Sequence, residues 1–297
     1  LVSGDATATR AAFTNHYTVG SLKLTETVTG NGAALWGYGS FEASVTCTLA
    51  DANPATVYSG AIALSKAHPF AIIENLATGA DCTVTESKDG GANSSSITNP
   101  SPAIGNATTV ETTITNTFTL GAIEVTKALT VNGKTTDDKP WTQGSYTVRL
   151  ACTRELNGAT ESIAIPDGAT QVIHGAGTAL FTDLPTGASC SVTETDSSPT
   201  AHTTEISPSS LTVGADLIEP GEFSVTNDFQ TTTMSVLKQL EGVGQESFGD
   251  GPFEFGIVCR LDGAADPVYT HTVTLTRPSG STTTSLREDG LGPVPVG

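Results

Sequence analysis

Three residues of this 297-residue chain, Lys127, Glu194 and Asn227, have the types and the phase to react with one another. Lys127 shares its parity with Ile123, Val125 and Leu129, Glu194 with Cys190 and Val192, and Asn227 with Val225 and Phe229. Residues two apart in an extended strand point to the same face, so all three polar side chains are expected inside one apolar core. An unpaired charge buried there is costly. Burial drives a lysine towards its neutral amine and a glutamate towards its protonated acid. A neutral amine held against a carboxamide carbon can attack it. Glu194 would hydrogen-bond to and polarise the carbonyl, and would shuttle protons as ammonia leaves. The product is a Lys127–Asn227 isopeptide bond, formed once by the chain on itself with Glu194 as the catalytic group. The competing reading is a buried Lys127–Glu194 salt bridge with Asn227 as a hydrogen-bonding bystander.

The constellation recurs in altered form. Asn227 lies in Val-Thr-Asn-Asp-Phe (225–229), Asn116 in Ile-Thr-Asn-Thr-Phe (114–118) and Asn15 in Phe-Thr-Asn-His-Tyr (13–17). These segments mark a tandem repeat. Eleven residues after each asparagine stand Lys238, Lys127 and Glu26 respectively. Glu26 therefore occupies the lysine position of a unit that keeps Glu86 and Asn116. Lys23 is an odd number of residues away and points to the other face. No isopeptide bond is expected in that unit, and two facing carboxyls favour protonation of one. The partners of Asn15 and Lys238 are expected outside the chain.

The elements that must position these residues are strands. Each unit opens with alternating apolar positions, as in Ile123, Val125, Lys127 and Leu129. A second strand follows, with an aromatic six residues before a cysteine: Phe41 and Cys47, Tyr146 and Cys152, Phe253 and Cys259. Then comes Asn-Leu-Ala-Thr-Gly-Ala-Asp-Cys-Thr-Val-Thr-Glu (75–86), matched by Asp-Leu-Pro-Thr-Gly-Ala-Ser-Cys-Ser-Val-Thr-Glu (183–194). Period-two alternation, Thr and Val enrichment and Gly/Pro/Asn punctuation predict antiparallel strands, with no helical period anywhere. The fold class is all-β: tandem immunoglobulin-like sandwiches arranged as an elongated rod. The expected division is a closing strand of a preceding repeat (1–19), two complete domains (20–119 and 120–230) and a truncated third (231–297).

Repeat register pairs Cys47 with Cys82 and Cys152 with Cys190. Each bond would close a loop of about 35–38 residues and contribute roughly 3–4 kcal/mol in the chain-entropy picture. The ending Val-Pro-Val-Gly (294–297) matches Leu-Pro-Thr-Gly (184–187), which precedes Cys190, so the partner of Cys259 is expected beyond the last residue. Disulfides would place the parent outside the cytoplasm; buried unpaired thiols are the alternative. There is no C-x2-C pair and the five histidines are isolated, so no metal or cofactor is expected. With 13 basic against 31 acidic residues and a net charge of -18, nucleic acid and anionic lipid are poor partners. No calcium-loop motif is present, and no apolar run reaches the ~18–20 residues that span a bilayer.

Thr-Asn-Thr-Phe-Thr-Leu-Gly-Ala-Ile-Glu-Val-Thr-Lys (115–127) and the Leu-Pro-Thr-Gly-Ala-Ser-Cys-Ser-Val-Thr-Glu segment (184–194) resemble tandem repeats of actinobacterial cell-surface proteins. That family is an immunoglobulin-like domain of unassigned function. The chain is also similar to the CnaB-like B-type repeats of collagen adhesins and to B-type pilin domains. The resemblance implies stalks on the Gram-positive cell surface, with Lys–Asn isopeptide bonds assisted by an acidic residue. It carries Lys127, Glu194 and Asn227 over as a set; the first unit departs from it at Glu26. The expected partners are neighbouring repeats of the same polypeptide, with any host-surface ligand held by a tip domain elsewhere. The alternative function is a module that itself binds host glycan or protein, with Trp36 and Trp141 as anchors. No enzyme acting on an external substrate is legible. A further reading has residues 8–19 of one chain completing the third unit of another by strand addition.

Overall fold

The period-two pattern folds as strands in the computed structural model, which describes residues 12–50, 55–135, 142–198, 202–261 and 266–296. The chain forms two compact units. One is Leu1–Thr119 with Leu156–Gly158; the other is Leu120–Glu155 with Ala159–Gly297. In the first unit the strands are β1 (Val19–Thr29), β2 (Phe41–Thr48), β3 (Thr56–Leu64), β4 (Phe70–Ala77), β5 (Asp81–Asp89), β6 (Ser94–Thr98) and β7 (Thr109–Thr117). They make two sheets, β4-β1-β7-β6 and β3-β2-β5. Inward residues of both sheets, among them Leu22, Leu24 and Ile114 against Phe41, Val45 and Val84, build one apolar core.

The second unit repeats this plan. Its strands are β8 (Leu120–Val131), β9 (Lys134–Thr135), β10 (Ser145–Leu156), β11 (Ala159–Ile163), β12 (Thr170–His174), β13 (Gly177–Pro185), β14 (Ser189–Ser198), β15 (Thr203–Ser207), β16 (Leu211–Thr212) and β17 (Gly221–Phe229). The sheets run β13-β8-β17-β15 and β11-β10-β14-β16, with β9 added to β8 and β12 to β10. Four further strands follow: β18 (Thr231–Gln239), β19 (Phe253–Cys259), β20 (Tyr269–Leu275) and β21 (Ser285–Pro295). They pair as β18-β21 and β19-β20 around Leu240, Val273, Leu275, Leu286 and Leu291.

Two features differ from the expected all-antiparallel, helix-free reading. The first and last strands of each repeat run parallel: β1 beside β7 from Ser21↔Thr109 to Thr29↔Thr117, and β8 beside β17 from Ile123↔Gly221 to Val131↔Phe229. A hairpin forces antiparallel pairing, but these partners are joined through the whole domain and are free of that restraint. Single-turn helices α1 (Ala33–Trp36) and α2 (Gln245–Phe248) sit in the connections after β1 and β18. Four residues are too few to show a helical period.

Local chemistry sets the turns and close approaches. Asn132-Gly133 and Asn157-Gly158 have φ of 50° and 72°, and 52° and 81°. Both residues of a two-residue type I′ hairpin loop need such values, and Asn-Gly is the pair that adopts them most readily. At the head of the repeats a Cβ on Gly121 would lie 1.9 Å from the Gly214 carbonyl oxygen, and one on Gly20 would lie 2.2 Å from that of Gly105. Residues 12–18 form no strand, and Phe13 and Tyr17 are 92% and 89% exposed. Trp141 and residues 8–11 of the strand-addition reading lie outside the described residues. Because the obstacle at Gly121 is backbone, Gly121→Ala should destabilise the second unit by about 2 kcal/mol or more. Denaturant titration against wild type checks this, and an unchanged midpoint would mean that the strand start relaxes freely.

Candidate functional site

Lys127 sits in β8 and Asn227 in its parallel neighbour β17. Lys127 pairs with Val225 and Leu129 with Asn227, so the two polar residues lie one pleat apart on the same inward face. Glu194 comes from β14 in the other sheet, opposite Val148 of β10. Lys127 and Asn227 are 1% and 0% exposed, and the Glu194 side chain 6%. The Lys127 Nζ donates to Glu194 Oε2 at 3.3 Å, and Asn227 Nδ2 donates to Glu194 Oε1 at 3.0 Å. Thus the structure brings the three residues together around one carboxylate.

Two neighbours complete the site without having been singled out from the sequence. The ring of Tyr146 lies 4.7 Å from Lys127 Nζ, and its buried hydroxyl donates to the Thr142 carbonyl at 2.7 Å. With Leu129 and Phe229 it forms a small apolar cluster. The signal was present as the aromatic six residues before each cysteine. Thr204 of β15 pairs directly with Asn227, and its hydroxyl donates to Glu194 Oε2 at 3.4 Å. Nothing distinguished this threonine from the many others.

Burial holds the Lys127 amine down to about 8, against the opposing pull of Glu194. At neutral pH about a tenth of such an amine is uncharged, roughly 300-fold more than for an ordinary lysine. Burial also pushes the Tyr146 phenol up. The expected hydrogen bond from Glu194 to the Asn227 carbonyl is not made. Glu194 accepts the amide N–H instead, and Asn227 Oδ1 is buried without a donor. Glu194 consequently bridges the nitrogen that must lose a proton in acyl transfer and the nitrogen that must gain one.

In the first repeat Glu26 and Asn116 are 5% and 0% exposed and sit on β1 and β7. Asn116 Nδ2 donates to Glu26 Oε1 at 2.9 Å and to Glu86 Oε1 at 2.6 Å. Lys23 lies on the outer face and pairs with Glu111 at 2.7 Å. Lys238 is half-buried, 5.3 Å from the Phe253 ring. Asn15 is exposed, and Cys259 is free and half-buried. Disulfides join Cys47 to Cys82 and Cys152 to Cys190, across β2–β5 and β10–β14. They lie in the sheet opposite the parallel terminal strands. Trp36 packs against the first core. Among the described residues no cluster of three or more His, Cys, Asp or Glu is placed to hold a metal. No helix among them is long and apolar enough to cross a membrane.

The family described as "Domain of unknown function (DUF5979)" matches residues 22–119 and 123–230. The chain belongs to this family. No curated protein matches the chain. Among solved structures, the chain is similar to the major pilin T-13 of Streptococcus pyogenes, at 12% identity and a TM-score of 0.38, over 71% of this chain and 97% of that one. Two B repeat units of the collagen-binding protein of Staphylococcus aureus align at 16% and 0.24, over 92% and 64%. A Mobiluncus mulieris adhesin containing intramolecular disulfide, isopeptide and ester bond cross-links aligns at 10% and 0.27, over 65% and 85%.

The lowered Lys127 value has a stability consequence. With Asn227→Ala, Lys127 remains a free amine. Between about 8 and 10.5 the unfolded chain then binds a proton that the folded one has released, so stability rises with pH across that window. Urea titrations of this variant across the window should show the rise, and Lys127→Met in the same background should remove it.

Proposed function

We propose that the chain is part of a force-bearing stalk of a Gram-positive cell-surface adhesin or pilus-like fibre, whose second repeat closes a Lys127–Asn227 isopeptide bond. The observation that carries this is the buried Lys127–Glu194–Asn227 set, which spans the first and last strands of the repeat. Tension on a tandem array enters at the start of β8 and leaves at the end of β17. Those strands are parallel neighbours, so the pull shears their hydrogen bonds. A bond between residues 127 and 227 carries the tension across directly, and the rest of the repeat is bypassed.

The step balances. The uncharged Lys127 amine attacks Asn227 Cγ, forming the new C–N bond; its proton passes to Glu194 and on to Asn227 Nδ2; the old C–N bond breaks and ammonia leaves. One turnover consumes the reactants, and no cofactor is needed. Burial of the set excludes water that would compete for the same carbon. In this reading residues 1–19 close a preceding repeat, 20–119 and 120–230 are full domains, and 231–297 opens a third. The disulfides suit an extracellular setting, with wall attachment through parts outside the chain. Neighbouring repeats are the partners, and a host ligand belongs to a tip domain elsewhere. Packing of Trp36 against the first core favours the stalk over an adhesive module.

Intact-mass measurement on reduced protein tests the reading. Expulsion of ammonia should leave the chain about 17 Da lighter than its sequence, and Lys127→Ala, Asn227→Ala and Glu194→Gln should each restore the full mass. A full mass for the reduced wild type would overturn the crosslink. In single-molecule stretching the first repeat should unfold while the second stays closed, and Lys127→Ala should make both extend. Extension of the wild-type second repeat at ordinary unfolding force would count against the stalk mechanism.

A further inference from the structure

We propose that Glu26 is a protonated acid that closes a two-hydrogen-bond ring with Asn116, a proton-controlled clamp between the first and last strands of the first repeat. The inference stands on that repeat alone, whatever the chemistry of Lys127.

The hydrogen-bond inventory carries it. Both hydrogens of Asn116 Nδ2 are committed, one to Glu26 Oε1 and one to Glu86 Oε1. Glu86 Oε2 is served by the Ser95 hydroxyl. Two buried oxygens are left with no donor, Glu26 Oε2 and Asn116 Oδ1. They belong to the two groups that the Asn116–Glu26 bond already joins. Leaving both empty is costly, and one hydrogen satisfies both. A proton on Glu26 Oε2, donated to Asn116 Oδ1, supplies it. The result is a reciprocal acid–amide pair, and it also removes like-charge repulsion with Glu86.

No cation is placed to do the same work from the elements packed around Glu26. On β1 itself Lys23 faces outward to Glu111 of β7. On the facing sheet Glu42 of β2 faces outward to Lys88 of β5, Asp81 is exposed and Asp89 accepts from the Gly91 N–H, while Glu86 contacts the site through Asn116. Glu74 of β4 and His68 in the connection before it are exposed, and Lys66 lies over the Tyr38 ring. The strands β3 and β6 bring no charged residue. Burial first, and then the Glu86 charge, raise the Glu26 carboxyl to about 7, although the Asn116 hydrogen bond pulls the other way. The sign follows. Between about 4.5 and about 7 the folded repeat holds a proton that the unfolded chain has lost, so the clamp is complete at the acid end and weakens as pH rises to about 7.

Glu26→Gln isolates the effect, because a glutamine amide permanently supplies the hydrogen that the acid supplies only when protonated. Hydrogen–deuterium exchange of the full chain, read on peptides from β1 and β7 and corrected for intrinsic rates, compares the two proteins. Relative to Glu26→Gln, wild-type opening should rise by up to about tenfold per pH unit through the window and level off above it. Identical pH dependence in both proteins would overturn the clamp. So would a Glu26→Gln chain less protected than wild type at about pH 5, below the window's upper end. Should that variant fold poorly, carbon-13 NMR of wild-type glutamate carboxyls decides. A buried Glu26 signal titrating near 7 supports the clamp. One titrating near 4.5, or one held ionised by added sodium or calcium, sinks it.

Discussion

Everything in these repeats hangs on the parallel pairing of first and last strands. Nine registered residue pairs bind β1 to β7, and nine bind β8 to β17. Each pairing joins the two chain ends of its repeat in the middle of a four- or five-stranded sheet, where neither strand is an edge. That position buries whatever the strands carry inward, including Glu26, Asn116, Lys127 and Asn227. It also makes the pairing the place where pulling the ends apart must do its work. The disulfides lie in the other sheet of each repeat, across β2–β5 and β10–β14.

One substitution on this common frame changes the chemistry. With lysine at the inward position of the first strand, the site holds a carboxylate, an amine and a carboxamide. Burial then disfavours the ammonium, against the opposing pull of Glu194. With glutamate there, burial disfavours the carboxylate instead, and the same physics drives proton uptake. The same burial therefore acts on opposite charges in the two repeats. In the second repeat Glu194 partners the buried amine, whereas in the first Glu26 shares its asparagine with a second carboxyl, that of Glu86.

Strand faces were legible because period two is strict: the parity that put Lys127 with Ile123 and Val125 is the parity buried in the structure. Convergence of Lys127, Glu194 and Asn227 was readable for the same reason. Parity reports a face and is silent on neighbours, so the parallel order of the terminal strands had to come from the sheet itself. It is equally silent on hydrogen-bond direction. Glu194 was expected as a protonated acid on the Asn227 carbonyl, and it accepts the amide N–H instead. Tyr146 and Thr204 escaped because their contribution is contact across strands and sheets rather than pattern along one. The four-residue turns α1 and α2 were too short to show any period.

The recurring asparagine has a structural meaning that precedes any reaction. In both repeats its Nδ2 donates to the glutamate of the facing sheet, at 2.6 Å for Asn116 to Glu86 and 3.0 Å for Asn227 to Glu194. In both, the residue directly opposite it on the next strand is a hydroxyl, Ser95 or Thr204, which donates to the other oxygen of that glutamate. This hydroxyl–carboxylate–amide bridge ties the two sheets together without a lysine, although the asparagine Oδ1 stays without a donor in both repeats. The first repeat shows it standing alone. Retention of Asn and Glu is therefore weak evidence for a crosslink, since polar satisfaction in an apolar core already accounts for them. The lysine is the informative residue. Placing an amine against a carboxylate that the hydroxyl and the amide already serve brings a buried positive charge that nothing in the fold requires, and such a cost needs a function to explain it.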